Sequence, residues 1–292
     1  LKISGLEGTG DSGTGINDSY GLDAIKLFHR QKAINPATGY KRPTVVNMSW
    51  GYSATFSGGS TVYEVNYRGT SYNSTVIQNS FGGELKAFGL NEFTSSLGLS
   101  DTWKHPIRVT SLDTDVDEMV DEGIHVVIAS GNHNHKIDLP SGADYDNQAL
   151  INNTQWRYYH RGSSPHSDKA LMVGSLDEDQ VQSGSNYIDK RASYSNHGPG
   201  IDLYAPGSSI LSAVSNTSAF ARGSYYHNGS YWESILNGTS MASPQVSGVV
   251  ALYAQSSPGL TPAKMKDVIL GKCSEVIYNP TEHLSGSFSL QS

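Results

Sequence analysis

The segment Asn237-Gly238-Thr239-Ser240-Met241-Ala242-Ser243-Pro244 puts a serine just after a glycine-bearing turn and directly ahead of a long apolar run. A hydroxyl there sits in the first turn of a helix, where unpaired backbone N–H groups and the positive end of the helix dipole favour an anion. That suits a nucleophile whose attack creates a negative oxygen. It equally suits a serine that simply opens a buried helix, and the spacing alone leaves both readings open. Val246, Val249, Val250, Ala251 and Leu252 make the run apolar on most faces, which predicts a central, buried helix over 240–255 with Ala242, Ser243 and Gly248 allowing close packing.

The elements that must position this serine are legible as alternating strands and helices, the pattern of a parallel sheet. Leu22, Ile25, Leu27 and Phe28 predict a helix over 21–34, stopped by Asn35-Pro36. The β-branched run 44–49 predicts a buried strand, 112–122 an acidic amphipathic helix, and 124–129 a second apolar strand ending at Ser130-Gly131-Asn132. Further strands are expected at 1–4, 170–173, 202–204 and 209–214, with a hairpin over 225–235. Thr261 before Pro262 predicts a last helix with its cap and a proline at the first position. Two polar stretches, about 53–110 and 133–166, interrupt this order; the alternation at 61–67 predicts a hairpin within the first.

Composition removes several classes of function. The chain has 292 residues, 37% hydrophobic and 16% charged, with a net charge of −7, which reads as globular and carries no basic footprint for nucleic acid. No run approaches the roughly 18 apolar residues that would span a bilayer. Cys273 is the single cysteine, so no internal disulfide forms, and it is expected to be a small buried residue near a helix end. Seven N-x-[ST] sequons occur; those at Asn47 and Asn237 fall inside motifs with no room for a glycan, so the set follows from an Asn/Ser/Thr-rich composition.

Gly238-Thr239-Ser240-Met241-Ala242-Ser243-Pro244 resembles, nearly letter for letter, the serine motif of the subtilisin-like serine proteases, the subtilases; Gln245 stands where the family usually has histidine. Residues 45–51 (V-V-N-M-S-W-G) and 126–132 (V-V-I-A-S-G-N) resemble the strands that form the two walls of that family's substrate groove, and 193–199 and 203–207 resemble two further segments, all in order. The resemblance implies a three-layer α/β fold with a mostly parallel central sheet and helices on both faces, carrying the two polar stretches as insertions. It implies one partial catalytic domain over 1–292. It assigns Ser240 as nucleophile, Asn132 as donor to the oxyanion with the Ser240 N–H, and Ser49, Trp50, Gly51, Ala129, Ser130 and Gly131 as the groove. Without it, Asn132 after Gly131 is an ordinary turn residue.

The family's triad runs Asp, His, Ser along the chain. Asp11-Ser12-Gly13 follows no apolar strand, and none of the ten histidines opens a helix in the expected context. Leu1-Lys2-Ile3 resembles the strand after the family's histidine helix, so the Asp and His are expected upstream, from a portion outside this chain. His133 and His135 as an improvised base or metal pair lack further ligands. No cofactor is required for the chemistry; structural calcium is common in the family, and Asp138, Asp144 and Asp146 could offer hard oxygen ligands, but their spacing fits no calcium-loop signature and a solvated loop is the better reading. The expected function is a serine endopeptidase acting on polypeptide, secreted or surface-associated. The alternative is a catalytically inactive subtilase fold serving as an assembly module. An unrelated lipase-type hydrolase lacks its G-x-S-x-G elbow here.

Overall fold

The structure, a computed structural model, describes residues 18–56, 62–73, 88–89, 103–151, 155–183, 185–214, 232–273 and 277. The expectations for 1–4 and for Asp11-Ser12-Gly13 lie outside these, as does most of the stretch 225–235. In chain order the elements are α1 (Asp18–Gln31), β1 (Ile34–Asn35), β2 (Tyr40–Lys41), β3 (Val45–Met48), β4 (Ser53–Phe56), β5 (Val62–Tyr67), β6 (Thr70–Asn73), β7 (Trp103–Pro106), α2 (Thr110–Asp121), β8 (His125–Ala129), β9 (Gln148–Ile151), β10 (Gln155–Tyr158), β11 (Leu171–Ser183), β12 (Asn186–Arg191), β13 (Leu203–Pro206), β14 (Ile210–Ala213), β15 (Glu233–Leu236), α3 (Thr239–Ser256) and α4 (Pro262–Leu270).

The central sheet runs β12-β11-β8-β3, with β13 on β11. β3, β8, β11 and β13 are parallel, in register through Met48↔Ile128, Leu171↔Val127 and Val173↔Leu203. Strand residues alternate between faces, so β8 sends Val126 and Ile128 one way and Val127 the other. The first pair packs with Met48, Met172, Leu112, Val116 and Met119, the α1/α2 layer. Val127 packs with Leu171, Val173, Ala242, Val246, Val250 and Met265, the α3/α4 layer. This is the three-layer α/β arrangement expected, with helices on both faces and a near-continuous apolar run in β8 because both its faces are covered.

Several local expectations shift. The first helix spans 18–31 and stops ahead of Asn35, because Ile34 and Asn35 pair with Lys41 and Tyr40 in a small hairpin. β11 runs on well past 173 and turns back as β12, an exposed antiparallel hairpin on the end of a parallel strand. Gly248 is exposed with open space around it, and Val249 and Leu252 are 44% and 68% exposed, so among the described residues α3 is covered on one side rather than all round. Cys273 is exposed, three residues past the end of α4, because the helix stops at Leu270. Thr261 caps α4 as expected, its hydroxyl accepting from the Lys264 N–H with Pro262 at the first position.

The two polar stretches meet. Strands β5 and β6 from the first and β9 and β10 from the second form one antiparallel sheet in the order β10-β9-β5-β6, over its own core of Val62, Val65, Ala149, Ile151 and Tyr159. An ion network clamps them together. Arg68, in the β5–β6 turn, donates from Nε at 2.6 Å and from Nη2 at 3.1 Å to Asp144, which also receives Lys136 Nζ at 2.6 Å and Asn147 Nδ2 at 3.1 Å. Burial alone would raise the Asp144 carboxyl, but Arg68 and Lys136 outweigh it and hold it well below the usual carboxylate range.

Beside this network five histidines lie close together. Burial pushes His197 down to about 3 and His160 to about 4, and it lowers fully buried His135 well below its ordinary value, with His133, His160, His197 and His105 adding like-charge repulsion. Unfolded, these side chains titrate near 6.5, so the folded state binds fewer protons, and the stability they contribute is present above that value and lost as pH falls through it toward 4. The melting temperature, followed by circular dichroism, should therefore drop steadily between pH 7 and pH 5. A melting temperature that is flat or rises over that window would contradict a buried neutral cluster.

Candidate active site

The sheet carries its candidate chemistry at the C-terminal ends of β3 and β8, where α3 begins. Ser240 is the second residue of α3, after Gly238, whose φ of +153° and close approach to Asn132 Nδ2 (3.2 Å from an added Cβ) suit glycine. The first helical N–H groups have no intrahelical acceptor, which leaves the Ser240 N–H available at the dipole's positive end. The turn is tethered from below: the Gly238 N–H donates to the Gly207 carbonyl at 2.8 Å and the Ser209 N–H to Asn237 Oδ1 at 2.6 Å.

The end of β8 is tied to this turn through Thr239, which is 1% exposed. Its hydroxyl donates to Asn132 Oδ1 at 2.8 Å and accepts the Gly131 N–H at 3.1 Å, while its own N–H donates to Asn132 Oδ1 at 2.8 Å. With Oδ1 taken twice, the amide orientation follows, and Nδ2 is the donor Asn132 has left to offer beside the serine.

The end of β3 is tied by a reciprocal pair. The Ser240 hydroxyl donates to the Ser49 carbonyl at 3.1 Å, and the Ser49 hydroxyl donates to the Ser240 carbonyl at 3.0 Å. The second bond has a specific cause. Pro244 lies inside α3 and has no N–H, so the carbonyl four residues before it, that of Ser240, has no helical donor. Ser49 supplies the missing one. Asn47 braces the same corner, donating to Ser49 Oγ at 2.8 Å and accepting from Ser243 Oγ at 2.7 Å.

Beyond Met48 and Ile128 the two strands part. The chain after β3 passes Trp50, 40% exposed and edge-on to Tyr52 at 5.8 Å, and is anchored by the Tyr52 N–H on the Ser164 carbonyl at 2.9 Å. The chain after β8 turns at Gly131 (φ +105°). Ser49 thus touches the Ser240 hydroxyl, with Trp50 and Gly51 following it along the chain, while Ala129 and Ser130 lead to Gly131, which is bonded to Thr239.

The remaining residues singled out in the sequence fall elsewhere. The His133 and His135 rings lie 5.6 Å apart, and Ser240 Oγ donates to a carbonyl rather than to either of them. Asp138 and Asp144 face Lys136, Asp144 also faces Arg68, and Asp146 pairs with Arg161. Carboxylates already neutralised this way do not fit a divalent cation, and among the described residues no group of three or more His, Cys, Asp or Glu could hold a metal ion. Gln245, at the usual histidine position, donates to the Pro206 carbonyl at 2.6 Å.

A sequence model of the subtilase family matches residues 23–286. The chain belongs to the subtilase family. Among curated relatives it is similar to an extracellular serine proteinase of Thermus sp. strain Rt41A, 31% identical over 161 residues, which is 55% of this chain and 29% of that protein. It is also similar to an extracellular protease of Xanthomonas campestris pv. campestris, 52% identical over 81 residues, 27% of this chain and 13% of the relative. A solved cold-adapted subtilisin-like serine proteinase aligns at 22% identity with a TM-score of 0.44, covering 90% of this chain and 57% of that one. The chain thus spans under a third of the length of the first curated relatives it matches.

Two features of the subtilase site were not read from the sequence, although both lie in its motifs: Thr239 as the link between strand and helix, and Ser49 as the donor that Pro244 requires. Replacing Ser49 by alanine should leave the Ser240 carbonyl without a donor and cost about 1–3 kcal/mol of stability, measurable as a lowered urea midpoint at unchanged slope. A Ser49→Ala protein as stable as wild type would show that water serves that carbonyl equally well.

Proposed function

We propose that the chain is the nucleophile-bearing part of a subtilisin-like serine endopeptidase. The observation that carries this reading is the pairing of Ser240, at the N-terminus of α3, with an Asn132 whose Oδ1 is anchored on Thr239 and whose Nδ2 remains to donate. In the reaction a histidine takes the Ser240 proton as Oγ attacks the scissile carbonyl carbon, an aspartate orients that histidine, and the oxyanion receives Asn132 Nδ2 and the Ser240 N–H. Collapse returns the proton to the leaving amine and leaves an acyl-enzyme on Ser240, which water then hydrolyses. The substrate is an extended polypeptide lying between Ser49–Gly51 and Ala129–Gly131 as an added strand.

The histidine and aspartate come from a portion of polypeptide outside the described residues. Two features support a seat for it beside Ser240. Among the described residues β3 pairs only with β8, leaving its other edge open, and the exposed side of α3 presents Val249 and Leu252. Secretion is proposed on the ground that relatives are named as extracellular proteases; no helix of the described residues is long and apolar enough to cross a membrane.

The test is hydrolysis of a quenched fluorescent peptide by the full-length protein. Ser240→Ala should abolish it. Asn132→Ala should lower kcat by about 10²–10³, the size of the loss known for the oxyanion asparagine of subtilisin itself. A folded full-length protein that hydrolyses nothing would favour an inactive subtilase fold used as an assembly module.

A further inference from the structure

Asn132 could do its work only if the loop bearing it is held still, and the loop's own sequence offers little for that. Residues 130–135 carry two glycine-like features, Gly131 at φ +105° and Asn134 at φ +50°, and leave the sheet at the end of β8. The segment 194–197 holds the loop: the Tyr194 carbonyl accepts the Asn134 N–H at 2.9 Å, the His197 N–H donates to the His135 carbonyl at 3.0 Å, and between them one side chain makes three more bonds. Asn196 is 3% exposed. Its Oδ1 accepts the His135 N–H at 2.9 Å and the His133 N–H at 3.2 Å, and its Nδ2 donates to the Ser130 carbonyl at 2.6 Å. Its backbone N–H donates to the Gly131 carbonyl at 3.0 Å.

Four hydrogen bonds from one residue therefore bracket Asn132 on both sides, at 130 and 131 before it and at 133 and 135 after it, while Asn132 itself is left to Thr239. The arrangement accounts for Gly131 as well: a Cβ there would lie 2.6 Å from Asn196 Nδ2. Each amide atom of Asn196 is matched to its partner, two N–H donors on the oxygen and a carbonyl on the nitrogen, so the orientation is determined by the bonds. No aspartate could substitute without setting a carboxylate oxygen against the Ser130 carbonyl.

We infer that Asn196 is a positioning residue for the oxyanion donor: it moulds the 130–135 loop so that Asn132 Nδ2 faces the oxygen of the carbonyl attacked by Ser240. This rests on the protease reading for its effect on rate. The positioning itself acts on the backbone and can be read without turnover.

The test uses the full-length protein in two measurements. In peptide hydrolysis, Asn196→Ala should lower kcat by about tenfold to a hundredfold with KM changed less than about threefold, since the lost interaction belongs to the transition state. In an Asn132→Ala background the same substitution should change kcat by less than about twofold, because two residues acting through one donor are not additive. Asn196→Asp, which retains both acceptor bonds, should be no better than Asn196→Ala. In amide hydrogen exchange, Asn196→Ala should speed exchange at His133 and His135 while leaving the amides of α3 protected. Additive kcat losses in the double variant, or unchanged exchange at His133 and His135, would overturn the inference. A wild-type protein without turnover removes the protease reading alone; exchange then decides, with acceleration confined to 130–135 upholding the role and unchanged exchange refuting it.

Discussion

The hydroxyl of Thr239 accepts the Gly131 N–H and donates to Asn132 Oδ1, and so fastens the turn that follows β8 to the first residues of α3. Most of the molecule is arranged around that junction. A helix start and a strand end can share one buried threonine only if the helix axis and the sheet are fixed relative to each other. The packing of Val127, Leu171 and Val173 against Ala242, Val246 and Val250 fixes them. Parallel strands serve this purpose well, because they deliver several chain ends to one edge of the sheet, and the same edge is where α3 begins. Ser49 from β3 and Gly207 from beyond β13 complete the attachment. The serine is thus held by backbone geometry on three sides before any base is considered.

The charges of the protein serve mainly to join parts together. Lys26, nearly buried, draws α1 to α2 through Asp115 and Glu118. Arg68, Lys136 and Asp144 do the same for the inserted sheet. In the sequence the acidic residues near 138–146 read as a solvated loop, with a hard-cation site as the lesser alternative, because the arginine that neutralises Asp144 lies in the other polar stretch, far away along the chain.

The sequence was most informative where a residue type meets a local requirement. Thr261-Pro262 marks its helix start, the β-branched run before Asn132 marks a strand buried on both faces, and the serine motif carries both its glycine turn and its helix. It was least informative where the partner is remote. Polar alternation at 61–67 reveals a hairpin but not that Val65 sits opposite Ala149. Asn196 reads as one polar loop residue among several, since its role depends on backbone groups some sixty residues earlier, as its bond to His135 shows. The exposed side of α3 runs against its apolar pattern: Leu252 has the composition of a core residue and lies open among the described residues.

The antiparallel sheet limits how such a protein can change over generations. Its inner strands, β5 and β9, belong to different polar stretches, and each closes the edge the other would expose. A chain that lost either stretch would retain a lone two-stranded hairpin, which is marginal in water, with an open edge inviting pairing between molecules. Loss of the first would also take Arg68 from Asp144 and leave it Lys136 and Asn147. The two stretches are separate along the polypeptide but one unit in the folded protein, and a change that removed one would strand the other.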